Sequence, residues 1–282
     1  MSSFEQYLQR HKQRASTIKN HLQNVGRFKK QSPDYQHAGY NELLKFIEDT
    51  RKRGVSKSTI NMHLNSVSKY YDYLIETGVR TDNPAKALRL KDGGKSVLQH
   101  LLTPTELEVL YLHYRNTPEW HFKGARSKQV HERNIVILGL LVYQGIQTTV
   151  LKKMEQVHLN LSQGTVYLPA AGRSNSRILK LDVKQIVPMS NYLRSLKAGE
   201  ALFPMHLVGV MEWLTKRLKK LNEKVISTGH LRSSVIMHWL RQYNIRQVQY
   251  MAGHKHISST ERYKQEDLQD LQAALKSYHP MR

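Results

Sequence analysis

The sequence predicts a mainly α-helical protein of two domains, the second of which also holds a small antiparallel β-sheet. Apolar residues recur at helical spacing along most of the chain. Alternation typical of strands is confined to residues 157–181. A polar stretch with two adjacent glycines, residues 91–101, interrupts the periodicity. It is predicted to be a linker between a domain at 1–90 and a domain at 102–282.

The first domain is predicted to be entirely helical. Serine and asparagine residues precede several amphipathic runs, and their side chains can accept hydrogen bonds from the first free N–H groups of a helix. Proline is favoured at the first helical position, which predicts a short fourth helix after Asn83. The predicted helix starts are Ser16, Asn41, Ser56 or Ser58, and Asn83-Pro84.

The second domain is predicted to begin with a helix at Thr103. Thr103 and Glu106 form the two ends of a capping box around Pro104, which favours a helix start. The elements expected after it are a loop at 116–131, an apolar helix at 134–143, three strands near 157–161, 165–168 and 178–181, helices starting at Val183, Val208 and Leu231, and a terminal amphipathic helix at 266–277.

Composition narrows the function. The chain has 282 residues and a formal net charge of +22, from 44 Lys and Arg against 22 Asp and Glu. Such an excess attracts polyanions, so nucleic acid or an anionic membrane surface is the expected partner. The longest apolar stretch, residues 135–143, is much shorter than the about 20 residues that a membrane-spanning helix needs, which excludes a span.

The chain contains no cysteine. This excludes a disulfide-stapled secreted domain, a Cys-ligated zinc finger and a thiol nucleophile. The remaining class is a soluble, basic, intracellular protein. No metal site is expected either, because the sequence has no HExxH motif and no His/Cys ligand spacing.

The strongest cluster of candidate chemistry lies near the carboxyl end. Arg232 is predicted near the start of a helix, His254 directly follows a helix-ending Gly253, and Tyr263 lies nine residues further on. Side chains at helix ends can bind a phosphate together with backbone N–H groups. The alternative for each residue alone is structural, with an ion pair for Arg232 and packing for the two rings. Spacing alone leaves both interpretations open.

The segment LRQYNIRQVQYMAGHKHISSTERY, which ends at Tyr263, resembles the terminal motif of the tyrosine site-specific recombinases of the phage integrase family. The similarity extends over most of the chain. It implies a helical core-binding (SAM-like) domain followed by an α+β catalytic domain, and site-specific DNA recombination or integration through a 3′-phosphotyrosyl intermediate. It also implies double-stranded DNA as partner, a tetramer on paired DNA sites, no cofactor, a mobile-element origin and the bacterial cytoplasm.

The resemblance implies roles for three residues of the motif. Tyr263 is expected to attack the DNA phosphodiester. Arg232 is expected to clamp the non-bridging oxygens, and His254 to donate a further hydrogen bond as charge develops in the transition state.

The sequence departs from the family pattern at other positions. Arg173 lies in the turn where the family has a catalytic lysine, and Gln147 replaces its first arginine. Gly229 replaces its first histidine, and His230 is displaced by one residue. Arg177, Lys152 and Lys153 are candidates to supply the missing charge. Two functions therefore stay open, an active recombinase and a sequence-specific DNA-binding protein that has kept the fold and lost cleavage.

Two helix starts of the first domain combine amide, hydroxyl and ammonium groups. They contain Lys19 with Asn20, and Lys57 with Asn61, and these four residues are predicted to contact DNA together with Arg177. Such groups suit phosphate anchoring and base reading in the major groove. The alternative is ordinary helix capping beside a solvated face.

Overall fold

The computed structural model describes residues 3–91, 100–117, 125–197 and 199–264. The chain divides into two compact units, residues 1–95 and 96–282, which are considered separately below. Among the described residues, no helix is long and apolar enough to cross a membrane.

The first unit is helical, as predicted. Its helices are α1 (Phe4–Arg10), α2 (Ala15–Gln31), α3 (Tyr40–Lys52) and α4 (Lys57–Glu76). Helix α1 was not predicted; it is only seven residues long but buries Phe4, Tyr7 and Leu8 in the core of the unit. A capping box at Ser3 and Gln6 starts it.

Three of the predicted helix starts can be compared with observed caps. Ser56 is the N-cap of α4, and its Oγ accepts a hydrogen bond from the Thr59 N–H at 3.3 Å, which confirms that prediction. Two predicted starts were each displaced by two residues. Helix α2 begins at Ala15 rather than after Ser16, and α3 begins at Tyr40 rather than after Asn41.

The short fourth helix predicted at Asn83-Pro84 is wrong, because residues 84–87 form hydrogen-bonded turns instead. The Asn83 side chain explains the difference. Its Nδ2 donates to Ser68 O at 2.9 Å and to Asp72 Oδ1 at 2.8 Å, both on α4. The amide thus fastens the returning chain to α4 instead of capping a new helix.

The second unit combines helices with a three-stranded sheet. Its elements are α5 (Pro104–Asn116), α6 (Ala125–Gln144), α7 (Thr148–Leu151), β1 (Leu159–Asn160), β2 (Thr165–Leu168), β3 (Arg177–Lys180), α8 (Val183–Ser195), α9 (Leu207–Leu221), α10 (Thr228–Gln242) and α11 (Ile245–Ala252), followed by a helical segment at 258–264. The sheet is antiparallel in the order β1-β2-β3, as predicted. The capping box of Thr103 and Glu106 starts α5, also as predicted.

Helix α6 is the centre of the second core. Ile137, Leu138, Leu140 and Leu141 are completely buried, and α5, α8 and α10 pack around this helix. It begins at Ala125, so the predicted loop at 116–131 ends too late. The polar start of α6 lacks the apolar repeat by which a helix is recognised in sequence. The helix predicted at 266–277 lies outside the described residues.

Candidate active site

Arg232 lies in the second turn of α10 and is 5% exposed. Its guanidinium group connects the chain after α6 to the end of α11 by donating to main-chain carbonyls. Nη1 donates to the Gly145 carbonyl after α6, and Nη2 donates to the Ala252 carbonyl at 2.8 Å. The same Nη2 lies 3.2 Å from Nε2 of His254. Burial and the two hydrogen bonds to carbonyls fix the orientation of the Arg232 guanidinium group, which lies beside the His254 ring.

His254 is placed by the end of α11. Gly253 adopts φ +69°, a left-handed conformation that favours glycine, and so turns the chain directly after the helix. The His254 Nδ1 atom lies 2.9 Å from Thr260 Oγ1 on the following helical segment. Both ring nitrogens therefore have a partner, Arg232 on one side and Thr260 on the other.

Tyr263 lies on the helical segment at 258–264 and is half-buried. Its ring stacks on the ring of His254, with centroids 5.8 Å apart and planes inclined by 12°. The structure thus brings together the three residues of the carboxyl-terminal motif, Arg232, His254 and Tyr263.

A second buried arginine lies in the same region. Arg177, the first residue of β3, is 3% exposed. Its Nε donates to the Met251 carbonyl at 2.7 Å, and its Nη1 donates to Ser174 Oγ at 3.1 Å and Asn175 O at 3.2 Å. Its Nη2 is buried and makes no hydrogen bond within the described part of the chain. The end of α11 therefore accepts hydrogen bonds from two guanidinium groups, Arg177 through Met251 and Arg232 through Ala252.

The electrostatics of this cluster are unbalanced. Burial, followed by the charge of Arg232, lowers the pKa of Arg177 to about 10, and burial also lowers the pKa of Arg232. Burial and the charges of Arg232 and Arg177 lower the pKa of His254 to about 4, so its ring is neutral at pH 7. Among the described residues, no carboxylate pairs with either guanidinium. The site is arranged to receive an anion.

The turn between β2 and β3 reaches this cluster. Ser174 and His254 form an isolated antiparallel bridge, and the Asn175 N–H donates to Gly253 O at 2.9 Å. Arg173, which precedes Ser174, is exposed. Its guanidinium is therefore on a turn attached to the His254 loop, with access to solvent.

Gln147 and His230 occupy different surroundings. Gln147 is the N-cap residue of α7 and is partly exposed, two residues after the carbonyl that Arg232 contacts. His230 is buried on α10, two residues before Arg232. Side chains two residues apart do not share a face of an α-helix, so His230 and Arg232 diverge.

The residues predicted to contact DNA in the first unit differ in whether their side chains are free to reach a ligand. Lys19, Asn20 and Lys57 are exposed. Asn61, in contrast, uses both ends of its amide on Leu90, donating to its carbonyl at 2.9 Å and accepting from its N–H at 2.8 Å. Asn61 thus holds the chain after α4, a structural role that is neither helix capping nor exposure on a solvated face.

Sequence reasoning overlooked two contributors to the cluster, Ser174 and Thr260. Each is a small hydroxyl residue with no pattern that distinguishes it from a surface residue. The signal that was available for Thr260 is its place between His254 and Tyr263 on a short segment. Among the described residues, there is also no group of three His, Cys, Asp or Glu side chains arranged to hold a metal ion.

Comparison with known proteins finds similarity to an integrase family and to tyrosine recombinases. Residues 1–78 match the family described as phage integrase, N-terminal SAM-like domain. Tyrosine recombinase XerC of Bacillus pumilus is 23% identical over 266 residues, covering 87% of this chain and 83% of the relative. Tyrosine recombinase XerC of Pseudomonas putida strain W619 is 25% identical over 251 residues, covering 85% and 80%.

Solved structures share the fold. The Tn1549 transposon integrase in complex with transposon right end DNA superposes with a TM-score of 0.66 at 15% identity, over 92% of this chain and 93% of the other. A lambda integrase dimer bound to a COC′ core site gives 0.67 at 15% identity over 92% of each chain. A lambda integrase tetramer bound to a Holliday junction gives 0.67 at 16% identity, over 92% of this chain and 74% of the other.

Proposed function

We propose that this chain, a tyrosine site-specific recombinase of the phage integrase family, cuts and rejoins double-stranded DNA with Tyr263 as its nucleophile. One observation carries the assignment of the site. Two buried guanidinium groups and a neutral histidine lie together beside a stacked tyrosine, without a carboxylate partner among the described residues. A DNA phosphodiester supplies the missing negative charge.

The proposed reaction has the two steps that the resemblance to the family implies. The Tyr263 oxygen bonds to phosphorus as its hydroxyl loses a proton, and the bond to the 5′ oxygen breaks as that oxygen gains one. The product is a 3′-phosphotyrosyl link and a free 5′-hydroxyl. A 5′-hydroxyl from the partner strand then attacks the link, which reforms the phosphodiester and releases Tyr263. The covalent link conserves the phosphodiester bond, so no cofactor is needed.

Arg232 has the geometry of a phosphate clamp. Its fork is held by the carbonyls of Gly145 and Ala252, so its direction is fixed before the phosphate arrives. Such preorganised donors stabilise the charge that develops in the transition state. His254 lies beside the fork and donates to the same phosphate once its Nε2 carries a proton.

Arg177 supplies the cationic charge that is missing at Gln147. Burial lowers the pKa of His254, and the charges of Arg232 and then Arg177 lower it further, so the Arg177 charge acts on the histidine. Arg177 acts through the electric field of the site, because its Nε and Nη1 are already bonded to oxygens of Met251, Ser174 and Asn175, and its Nη2 is buried. Cleavage that is undiminished in Arg177→Ala would remove this role.

Arg173 is proposed to stabilise the leaving 5′ oxygen from the β2–β3 turn. It is exposed, and the neighbouring Ser174 is bridged to His254. An arginine is a poor proton donor near neutral pH, since its guanidinium holds its proton firmly. We therefore assign it electrostatic stabilisation, and expect Arg173→Lys to retain cleavage that Arg173→Ala loses.

DNA binding is proposed to involve both units. Lys19, Asn20 and Lys57 are exposed on the first unit and suit contacts to phosphates and base edges. Assembly as a tetramer on paired sites is proposed from the mechanism, since strand exchange needs a partner strand. We place this activity in the bacterial cytoplasm, in the service of a mobile element.

A nicked suicide duplex tests the assignment. Cleavage beside the nick releases a short fragment and traps a covalent adduct, which is resolved on a denaturing gel. We expect an adduct with the unaltered protein and none with Tyr263→Phe, at equal DNA affinity. The matched control is Tyr243→Phe, an exposed tyrosine directly after α10, which keeps the adduct. Binding without any adduct would instead favour a DNA-binding protein that has lost cleavage.

A further inference from the structure

Thr260 is a hydroxyl residue beside His254 to which the proposed mechanism gives no role. It is completely buried, although threonine side chains are more often exposed. It lies on the helical segment that carries Tyr263, three residues before it. Its Oγ1 is 2.9 Å from His254 Nδ1. The residue thus connects the segment of the nucleophile to the ring on which the nucleophile stacks.

The direction of this hydrogen bond follows from the other side of the ring. A guanidinium can only donate, so the contact of Arg232 Nη2 with His254 Nε2 at 3.2 Å requires Nε2 to accept. A neutral imidazole that accepts at Nε2 carries its proton on Nδ1. The Nδ1–H group then donates to Thr260 Oγ1. The opposite tautomer would place an N–H of the ring against an N–H of Arg232.

We infer that Thr260 is a positioning residue for cleavage: together with Arg232 on the other side of the ring, its buried hydroxyl keeps the His254 proton on Nδ1, so that Nε2 meets the phosphate as the one nitrogen able to take up a proton. This inference rests on the proposed function. A phosphate bound at Arg232 offsets the positive charge around the ring and favours protonation at Nε2. Thr260 accepts from Nδ1 before and after that step, so the ring does not need to turn.

Packing is the alternative role for a buried threonine, and two substitutions separate it from the inferred one. Thr260→Val keeps the shape of the side chain and removes the hydroxyl. Thr260→Ser keeps the hydroxyl and removes the methyl group. If Thr260 only fills space, valine should be tolerated better than serine, because valine keeps the volume of the side chain. A positioning residue shows the reverse order in every measurement that reports on His254.

The first measurement is the tautomer of His254 in the full chain without DNA. Long-range proton–nitrogen correlation spectra of the 15N-histidine-labelled protein show which ring nitrogen carries the proton, and His254→Gln identifies the signal. We expect Nδ1–H in the unaltered protein and in Thr260→Ser, and a changed pattern in Thr260→Val. An Nε2–H tautomer in the unaltered protein, or an unchanged pattern in Thr260→Val, overturns the inference.

The second measurement is cleavage of the nicked suicide duplex as a function of pH. We expect Thr260→Val to lower the cleavage rate constant by about tenfold or more, because the hydrogen bond that orients the protonated ring is lost, and to change its pH dependence. Thr260→Ser should restore both, with DNA affinity equal in all three proteins. Unaltered rates in Thr260→Val overturn the inference. Absence of any adduct in the unaltered protein refutes the proposed function, while the spectra still decide the assignment of Thr260.

Discussion

Replacing Gly253 by alanine tests the arrangement of the whole cluster. The residue has φ +69°, and nothing but hydrogen separates its Cα from the neighbouring side chains. A Cβ added there lies 2.6 Å from Ser174 Oγ and 2.8 Å from Arg177 Cζ, and overlaps Arg177 Nη1. Those atoms belong to a buried guanidinium and its partner, so they cannot move aside without losing hydrogen bonds.

The expected loss of stability has two parts. The left-handed conformation costs an alanine about 1 kcal/mol. Displacing Arg177 Nη1 breaks its bonds to Ser174 Oγ and Asn175 O, which are worth about 1.5 kcal/mol each because the donor is charged. Gly253→Ala should therefore lower the free energy of unfolding of the second unit by about 4 kcal/mol.

Gly164 provides the matched control. It has φ +61° in the same unit, but an added Cβ meets nothing within 4 Å, so Gly164→Ala should cost only about 1 kcal/mol. Urea unfolding can be followed by tryptophan fluorescence, since Trp120, Trp213 and Trp239 all belong to the second unit. Equal losses of stability in the two variants would refute the view that the close packing of Arg177 requires a glycine at position 253.

Further predictions concern the charges and the buried polar groups. The folded pKa of His254, about 4, is below the ordinary 6.5, so its contribution to stability is present above pH 6.5 and is lost as pH falls towards 4. Urea unfolding should show that the free energy of unfolding falls between pH 7 and pH 4, and that it falls less in His254→Gln, by at most about 3 kcal/mol. An equal dependence on pH in the two proteins would contradict the neutral ring. Arg232→Lys keeps the charge but loses the fork, and should slow adduct formation on the suicide duplex by about 100-fold; a rate within a few-fold would contradict the clamp. Ser66→Ala removes the hydroxyl that accepts a hydrogen bond from Asn24 Nδ2 at 3.0 Å, between α2 and α4. It should lower the free energy of unfolding, measured by hydrogen exchange of those helices, by about 2 kcal/mol. The exposed Ser58→Ala should change it by less than about 0.5 kcal/mol, and similar values for both would refute a role for the buried network.

Helices with a strong apolar repeat were predictable from the sequence, and so was the small sheet. Local capping chemistry fixed the starts of α4 and α5, where a side-chain oxygen bonds the free N–H groups. Helices α2 and α3 have no side-chain oxygen at the N-cap position, since Arg14 and Gly39 occupy it, and their predicted starts were displaced. The turn at Asn83 depends on contacts with α4, which no local pattern records.

The candidate site was predictable only through its motif. The order and spacing of Arg232, His254 and Tyr263 identified three members, and the structure places them together. The burial of Arg177 was not predictable, because a charged residue that starts a strand is typical of an exposed one. The role of Thr260 depends on the direction of a ring, which only the arrangement of three separate segments determines.

The acceptors at the end of α11 have a consequence for how this protein tolerates change. Arg177 and Arg232 are both held by main-chain carbonyls, those of Met251 and Ala252. A substitution alters a side chain and leaves the main-chain carbonyl in place. Solvent-facing side chains of α11 can therefore change while both guanidinium groups keep these hydrogen bonds. The constraint falls instead on the path of the backbone. Divergent relatives should therefore vary in the surface of this helix and agree in where it stops.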